Sequence, residues 1–243
     1  MKIAGIHPLR EALTEGKSIE KVFVNRDMTG AAWQSLAAEL RRQGIPIKYV
    51  PKIKLDKMYK GVHQGVVALV APVDFIPMEA LIARALEQTP HPAFLLLDGI
   101  TDTRNLGALI RSAAAFAFNG IILPASGSAT ITEETVKTSA GAVFKIPMAR
   151  TRHLLDAIYY LQAEGIQVVA ATEKTDQSIH RYRFPSSVAL VLGDEHTGIQ
   201  PALLKHADAK LRIPISPQMD SLNVSVAGGI FMYEIARQLQ KII

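Results

Sequence analysis

The chain of 243 residues contains no cysteine. Disulfides, thiolate metal sites, iron–sulfur clusters and cysteine nucleophiles are therefore excluded, and a reducing compartment, the cytoplasm, is the expectation. Aromatic residues make up 6% and charged residues 20% of a sequence that is 49% hydrophobic, a balance too apolar for disorder. None of the 16 glycines lies two positions from another, so no G-x-G occurs. Dinucleotide binding and the common nucleotide-type methyl-donor fold lose their fingerprint. Gly193 and Gly198 have P-loop spacing, but Ile199 and Gln200 stand where lysine and serine or threonine would hold phosphate and magnesium. Seven histidines, at positions 7, 63, 91, 153, 180, 196 and 206, form no i,i+4 pair, and no G-x-S-x-G is present. Metalloprotease and hydrolase-fold readings have no support, and no metal is expected.

Long membrane-type apolar segments are also missing. The start, MKIAGIHPLREAL, meets His7, Pro8, Arg10 and Glu11 before an apolar core develops, so no secretory signal is expected. The uncharged run from Ser112 to Thr132 is broken by Asn119, Gly120 and Pro124 and reads as helix, turn and strand.

Charge is present but unevenly placed. Residues 1–90 hold 13 lysines and arginines against 9 acids, net +4, while residues 91–243 hold 14 against 13, net +1. Within Arg41–Lys60, the cations Arg41, Arg42, Lys48, Lys52, Lys54, Lys57 and Lys60 face a single acid, Asp56, with Tyr49 and Tyr59 interleaved. That pattern suits a polyanion contact, although a charge run by itself is equally a solvated surface.

Helix and strand signals alternate throughout. Helices are read at His7–Glu15 and Ala31–Gln43, each stopped by glycine, and strands at Val22–Asn25, Pro46–Val50 and Gly65–Val73. Residues 1–73 thus make a first α/β domain. Residues 74–92 hold one short amphipathic helix between prolines and read as a linker. Residues 93–243 place apolar strands at Ala93–Leu97, Gly120–Leu123, Ile166–Ala171 and Val188–Leu192. Helices at Leu106–Phe118, Leu154–Glu164 and Val224–Leu239 separate or follow them, so a mostly parallel sheet covered by helices is expected. Ligands of such sheets sit beyond the carboxyl ends of the strands, which directs attention to Asp98–Asn105, Thr172–Lys174, Gly193–Gly198 and the stretch after Leu211–Ile215.

Three of these junctions are polar in apolar surroundings. In DGITDTRNLGALIR, Asn105 reads as a helix cap with Gly107 close behind, and Arg111 projects from the second turn. An anion or ribose fits there, as does a plain cap with a snorkelling arginine. In LGDEHTG, Gly193, Asp194 and Glu195 close an apolar strand. In MDSLNVSVAGG, Ser221 or Asn223 caps the last helix, whose interior Gly228 and Gly229 each cost about 1 kcal/mol against alanine and so call for close packing.

Together and in this order, the three segments resemble the motifs of SpoU, or TrmH-like, RNA 2′-O-ribose methyltransferases of the SPOUT superfamily. Asn105, Gly107 and Arg111 match the first motif, Gly193, Glu195 and Gly198 the second, and Ser221, Leu222, Asn223 and Ser225 the third. TSAGAVFKIPMAR, VVAATE, GIHPLREAL and GVHQGVVALV extend the resemblance over nearly the whole chain, towards the branch acting on a guanosine of large-subunit ribosomal RNA. Two positions depart from the pattern: His196 stands where a second glycine is usual, and no glycine lies near Pro217 or Gln218.

The resemblance implies a small ribosomal-protein-like RNA-binding domain followed by a trefoil-knotted α/β methyltransferase domain, a topology no pattern argument would propose. It implies S-adenosylmethionine bound mostly by backbone, with Thr172, Gly193, Glu195, Ile213, Leu222 and Asn223 at matching positions. It implies a homodimer in which Arg111 serves a shared site, and a reacting group of Asn105, Arg111, Glu195, Ser221 and Asn223. In that scheme Asn105 fixes Arg111 or the ribose, and Glu195 holds the arginine or the loop. The alternatives are a transfer-RNA methyltransferase, whose relatives typically lack the N-terminal domain, and a non-catalytic RNA-binding or ribosome-assembly protein of the same fold.

Overall fold

The structure, a computed structural model, describes residues 2–195, 197–219 and 221–241. The chain divides into two compact units. One runs up to Asp74 and includes Thr130–Thr132; the other comprises Phe75–Ala129 and the chain from Glu133.

The first unit follows β1 (Lys2–Ala4), α1 (Ile6–Thr14), β2 (Ile19–Asn25), α2 (Ala31–Arg42), β3 (Ile47–Val50), α3 (Lys52–Met58) and β4 (Val66–Val70). Its sheet has the order β1-β4-β2-β3, with β2 and β3 parallel and β4 antiparallel to both its neighbours. Strand periodicity of two sorts the side chains between faces. Val22, Val24, Val66 and Ala68 pack with Leu9 of α1 and with Trp33, Leu36 and Leu40 of α2. Phe23 and Val67 point the other way, to Val50 and to Leu55 of α3.

The second unit continues with α4 (Met78–Gln88), β5 (Ala93–Asp98), α5 (Thr103–Ala115), β6 (Gly120–Pro124), α6 (Glu133–Thr138), β7 (Met148–Thr151), α7 (Leu154–Ala163), β8 (Gln167–Ala171), β9 (Val188–Gly193), α8 (Pro201–His206), β10 (Ala209–Leu211) and α9 (Val224–Gln238). Six parallel strands lie in the order β10-β8-β9-β5-β6-β7. Every residue of β5 is buried, as the uninterrupted run AFLLLD requires of a central strand covered on both faces. On one face Phe94, Leu96, Val168 and Val191 pack with α4, α7 and α8. On the other, α5 and α9 cross so closely that a Cβ on Gly228 would come within 2.8 Å of Leu192 and nearer still to Leu109. That contact explains Gly228 inside a helix; a Cβ on Gly229 would meet only the Ser112 hydroxyl, at an ordinary contact distance of 3.9 Å.

The expected elements are present with shifted ends, and the stretch 74–92 needs correction. Met78, Leu81, Ile82 and Ala85 of α4 are buried in the core of the second unit, so the segment is an integral helix rather than a linker. Their i, i+3, i+4, i+7 spacing is that of a docked helix, which the flanking prolines disguised. Among the described residues no helix is long and apolar enough to cross a membrane.

Candidate active site

From β5 the chain turns to β6 and β7 on one side of the sheet, and from β9 it leaves for β10 on the other. The carboxyl ends of these adjacent strands are therefore the switch point where a doubly covered parallel sheet opens a crevice. There Asp98 and Gly193 stand in register. Beyond Asp98, helix α5 begins at Asp102, whose carboxylate accepts the backbone N–H groups of Arg104 and Asn105 at 2.7 and 2.9 Å. The cap is thus Asp102 rather than Asn105, and the helix starts three residues earlier than the expected Leu106. Two Asx residues three apart compete for the cap, and the one taking it leaves the other's side chain free.

Beyond Gly193 the chain folds back in a tight turn, with Asp194 and Gly198 exchanging backbone hydrogen bonds of 3.2 and 2.9 Å. A Cβ on Gly193 would overlap the Gly198–Ile199 peptide, so only glycine lets the two arms meet. Asp194 Oδ1 accepts from the Thr197 amide and hydroxyl, which closes the turn and leaves Glu195 at its tip. His196 lies outside the described residues, so its departure from the family pattern receives no structural account.

Three junctions converge on Glu195. Asn223 caps α9, its Oδ1 accepting from the Ser225 and Val226 amides and the Ser225 hydroxyl. With its oxygen so committed, its Nδ2 is directed outward and donates to Glu195 Oε1 at 3.0 Å and to Asn105 Oδ1 at 3.2 Å. Asn105 Nδ2 in turn donates to the same Glu195 oxygen. The result is a closed triangle of two amides on one carboxylate, in which each amide orientation is fixed by its partners.

Two cavities share Glu195, one corner of this triangle. A larger one of about 640 Å³ is bounded by the segments after β8, β9 and β10 and includes Thr172, Gly193, Glu195, Ile213, Ser221 and Leu222. A smaller one of about 310 Å³ is lined by Ile100, Thr101, Asp102 and Asn105, and shares Asp194, Glu195 and Val224 with the first. Side chains of Leu192, Ile199 and Phe231 give the larger cavity apolar walls, and Ile213–Ser216 belongs to no helix or strand.

Of the expected catalytic and cofactor residues, all but Arg111 and Asn223 line one of the two cavities, and Asn223 reaches them through its hydrogen bonds to Glu195 and Asn105. Arg111 lies in the third turn of α5, not the second; it is exposed and lines neither cavity. Among the described residues it makes no hydrogen bond to Asn105 or Glu195, so the expected Asn105–Arg111 and Glu195–Arg111 contacts are replaced by the amide triangle. Arg41, Arg42, Lys48, Lys52, Lys54, Lys57 and Lys60 are all exposed on the first unit. Sequence reasoning missed Asp102, Asp98 and Gln200; the sole acid ending the run AFLLLD was the available signal for Asp98.

A six-stranded parallel α/β unit with a ligand crevice at its switch point, preceded in the chain by a separate four-stranded α/β unit, is a two-domain α/β architecture suited to binding a small molecule. The chain belongs to the SpoU rRNA Methylase family, whose model matches residues 92–233; residues 2–75 match the RNA 2′-O ribose methyltransferase substrate binding family. It is 32% identical to YacO of Bacillus subtilis, assigned to the TrmH family of tRNA/rRNA methyltransferases, over 97% of this chain and 95% of that one. Among solved structures it resembles an AdoMet-bound rRNA methyltransferase from Sinorhizobium meliloti at 28% identity and TM-score 0.61, covering 98% of this chain and 87% of that one. The TrmH/SpoU tRNA modifying enzyme of A. aeolicus, at 22% identity and TM-score 0.56, covers 67% of this chain and 85% of its own.

Proposed function

We propose that the protein transfers a methyl group from S-adenosylmethionine to a ribose 2′-hydroxyl of structured RNA in the cytoplasm, the target being a guanosine of large-subunit ribosomal RNA. The observation that carries this reading is the Asn105–Glu195–Asn223 triangle at the edge common to the two cavities. The larger cavity has the volume and the apolar walls of a small-molecule site, and its loop wall at Ile213–Ser216 has peptide groups that serve no strand ladder. Thr172, Gly193, Glu195, Ile213 and Leu222 would hold S-adenosylmethionine there, with Ser221 beside them and Asn223, which does not line the cavity, acting through Glu195. When bound, the cofactor would supply an electrophilic sulfonium methyl to the ribose oxygen, with the neutral thioether as leaving group.

Such a displacement requires positioning above all. Asn105 and Asn223 fix the Glu195 carboxylate, which orients the ribose in the smaller cavity. A guanidinium offers five donors and no acceptor, so Arg111 is given no part in removing the proton. It orients a phosphate and the reacting hydroxyl, and the phosphate takes the proton. Its exposed place on α5 suits a site completed by a second subunit. Val226, Ile230 and Tyr233 form an exposed stripe at helical spacing on α9, with Phe116 edge-on to Tyr233 at 5.8 Å between ring centroids. A second copy of this chain packing there would bring the two α5 helices together.

The first unit supplies RNA contact through the Arg41–Lys60 cations. The ribosomal reading is supported by that unit's match to the RNA 2′-O ribose methyltransferase substrate binding family and by the likeness of the whole chain to an rRNA methyltransferase. Ribose-methylation mapping of ribosomal and transfer RNA, from cells with and without the protein, tests it. One guanosine of large-subunit RNA is expected to lose its methyl group. Loss confined to transfer RNA would overturn the target, and cofactor binding with no methyl lost from any RNA would support a non-catalytic protein.

A further inference from the structure

Asp98 is 2% exposed at the end of β5, and among the described residues no cation pairs with it. Its two oxygens are used by one residue: Oδ2 accepts the Gln200 backbone N–H at 2.7 Å and Oδ1 accepts Gln200 Nε2 at 2.6 Å. A buried carboxylate answered only by amide donors is a costly choice where an apolar residue would pack as well. The placement of the bonds gives the reason.

The turn carrying Glu195 leaves the sheet at Gly193, which is in register with Asp98, and returns at Gln200, the cap of α8. Asp98 therefore holds both arms of the turn, the outgoing one through strand pairing and the returning one through its carboxylate. It also begins the segment leading to Asp102 and Asn105, and a Cβ on Gly99 would sit 3.5 Å from Asp194. One side chain stands at the root of both loops that bring Asn105 and Glu195 together.

We propose that Asp98 is a positioning residue for methyl transfer: through Gln200 it sets the Gly193–Gln200 turn, and with it the cofactor cavity wall and the Glu195 carboxylate. This rests on the site reading given above. Asp98→Ala removes both acceptors and leaves the Gln200 backbone N–H and Nε2 without their partner. It is expected to weaken S-adenosylmethionine binding, measured by calorimetry, and to lower the single-turnover rate, each by tenfold or more, in a protein that still melts cooperatively. Asp98→Asn combined with Gln200→Glu reverses the side-chain pair while the backbone N–H keeps an acceptor, and is expected to keep affinity and rate within threefold of wild type. Should Asp98→Ala not fold, Gln200→Ala removes only the side-chain bond and is expected to lower both quantities several-fold.

Wild-type affinity and rate in folded Asp98→Ala overturn the proposal, as does a paired variant that loses as much as Asp98→Ala. If only the melting temperature falls, Asp98 is merely structural and the proposal also fails. The site reading fails separately, if the wild type measured in the same series binds no S-adenosylmethionine.

Discussion

Asn223 donates its side-chain amide to Glu195 Oε1 at 3.0 Å while the oxygen of the same amide caps α9. One residue thus carries a helix start and a carboxylate anchor, and two substitutions separate these duties. Asn223→Ala removes both and is expected to lower stability by about 1 kcal/mol through the lost cap, together with the transfer rate. Asn223→Asp keeps a capping oxygen but sets a second carboxylate against Glu195. Its denaturation midpoint should stay near wild type while the transfer rate falls at least tenfold at neutral pH. Equal rates for Asn223→Asp and wild type would mean that the amide bond to Glu195 does not matter for transfer.

Arg111 stands apart from that triangle, exposed and lining neither cavity. Arg111→Ala is therefore expected to leave folding and S-adenosylmethionine affinity unchanged and to lower methyl transfer by about a hundredfold or more, as for loss of one orienting or electrostatic group. Calorimetry and single-turnover kinetics on the same preparation check the split. A near wild-type rate would remove Arg111 from the reacting group.

Much of the second unit was legible because its strands are unbroken apolar runs such as Ala93–Leu97 and Val188–Leu192, and parallel sheets covered on both faces have that composition. The crevice followed from the rule for such sheets, and the three polar junctions beyond the strands do meet there. What was not legible is long-range. Asn105 is 90 residues from Glu195, which is 28 from Asn223. No local periodicity states that an amide will turn towards a carboxylate so far along the chain. The cap of α5 was misplaced because Asp102 and Asn105 have equal propensity for it, and only the observed bonds decide. Helix α4 was read as a linker because Pro77 and Pro90 punctuate its ends, although its apolar stripe already announced a packed face.

The α9 stripe leads to a third prediction. Val226, Ile230 and Tyr233 are 51%, 39% and 50% exposed, spaced to lie along one side of the helix, where a monomer would leave them in water. Light scattering should show a dimer, and Ile230→Glu should give a folded monomer with strongly reduced transfer. If Arg111 completes the partner's site, mixing Arg111→Ala with Glu195→Ala chains should recover about a quarter of wild-type activity, because half of the randomly formed dimers carry one intact site. A dimer whose mixed form stays inactive would place Arg111 in its own subunit's site.

The last prediction concerns the first unit. Lys52, Lys54 and Lys57 are exposed on α3, with Ile53 69% exposed among them. The one acid of the segment is already engaged: Asp56 accepts from His63 Nε2 at 2.8 Å. The Gly65 amide donates to His63 Nδ1 at 3.0 Å, so the ring proton sits on Nε2 and the pair is fixed. Asp56 is thereby turned to the loop at His63 instead of the lysines, and the positive surface is left for a polyanion. Phosphate contacts release counterions, so the logarithm of RNA affinity should fall with the logarithm of salt by about 0.7–0.9 per contact. Replacing Lys52, Lys54 and Lys57 by glutamine should weaken binding at low salt and flatten that slope by about 2.1–2.7 units if all three touch phosphate, with S-adenosylmethionine affinity unchanged as the folding control. An unchanged affinity and slope would make this face a solvated surface and move the RNA contact to other residues.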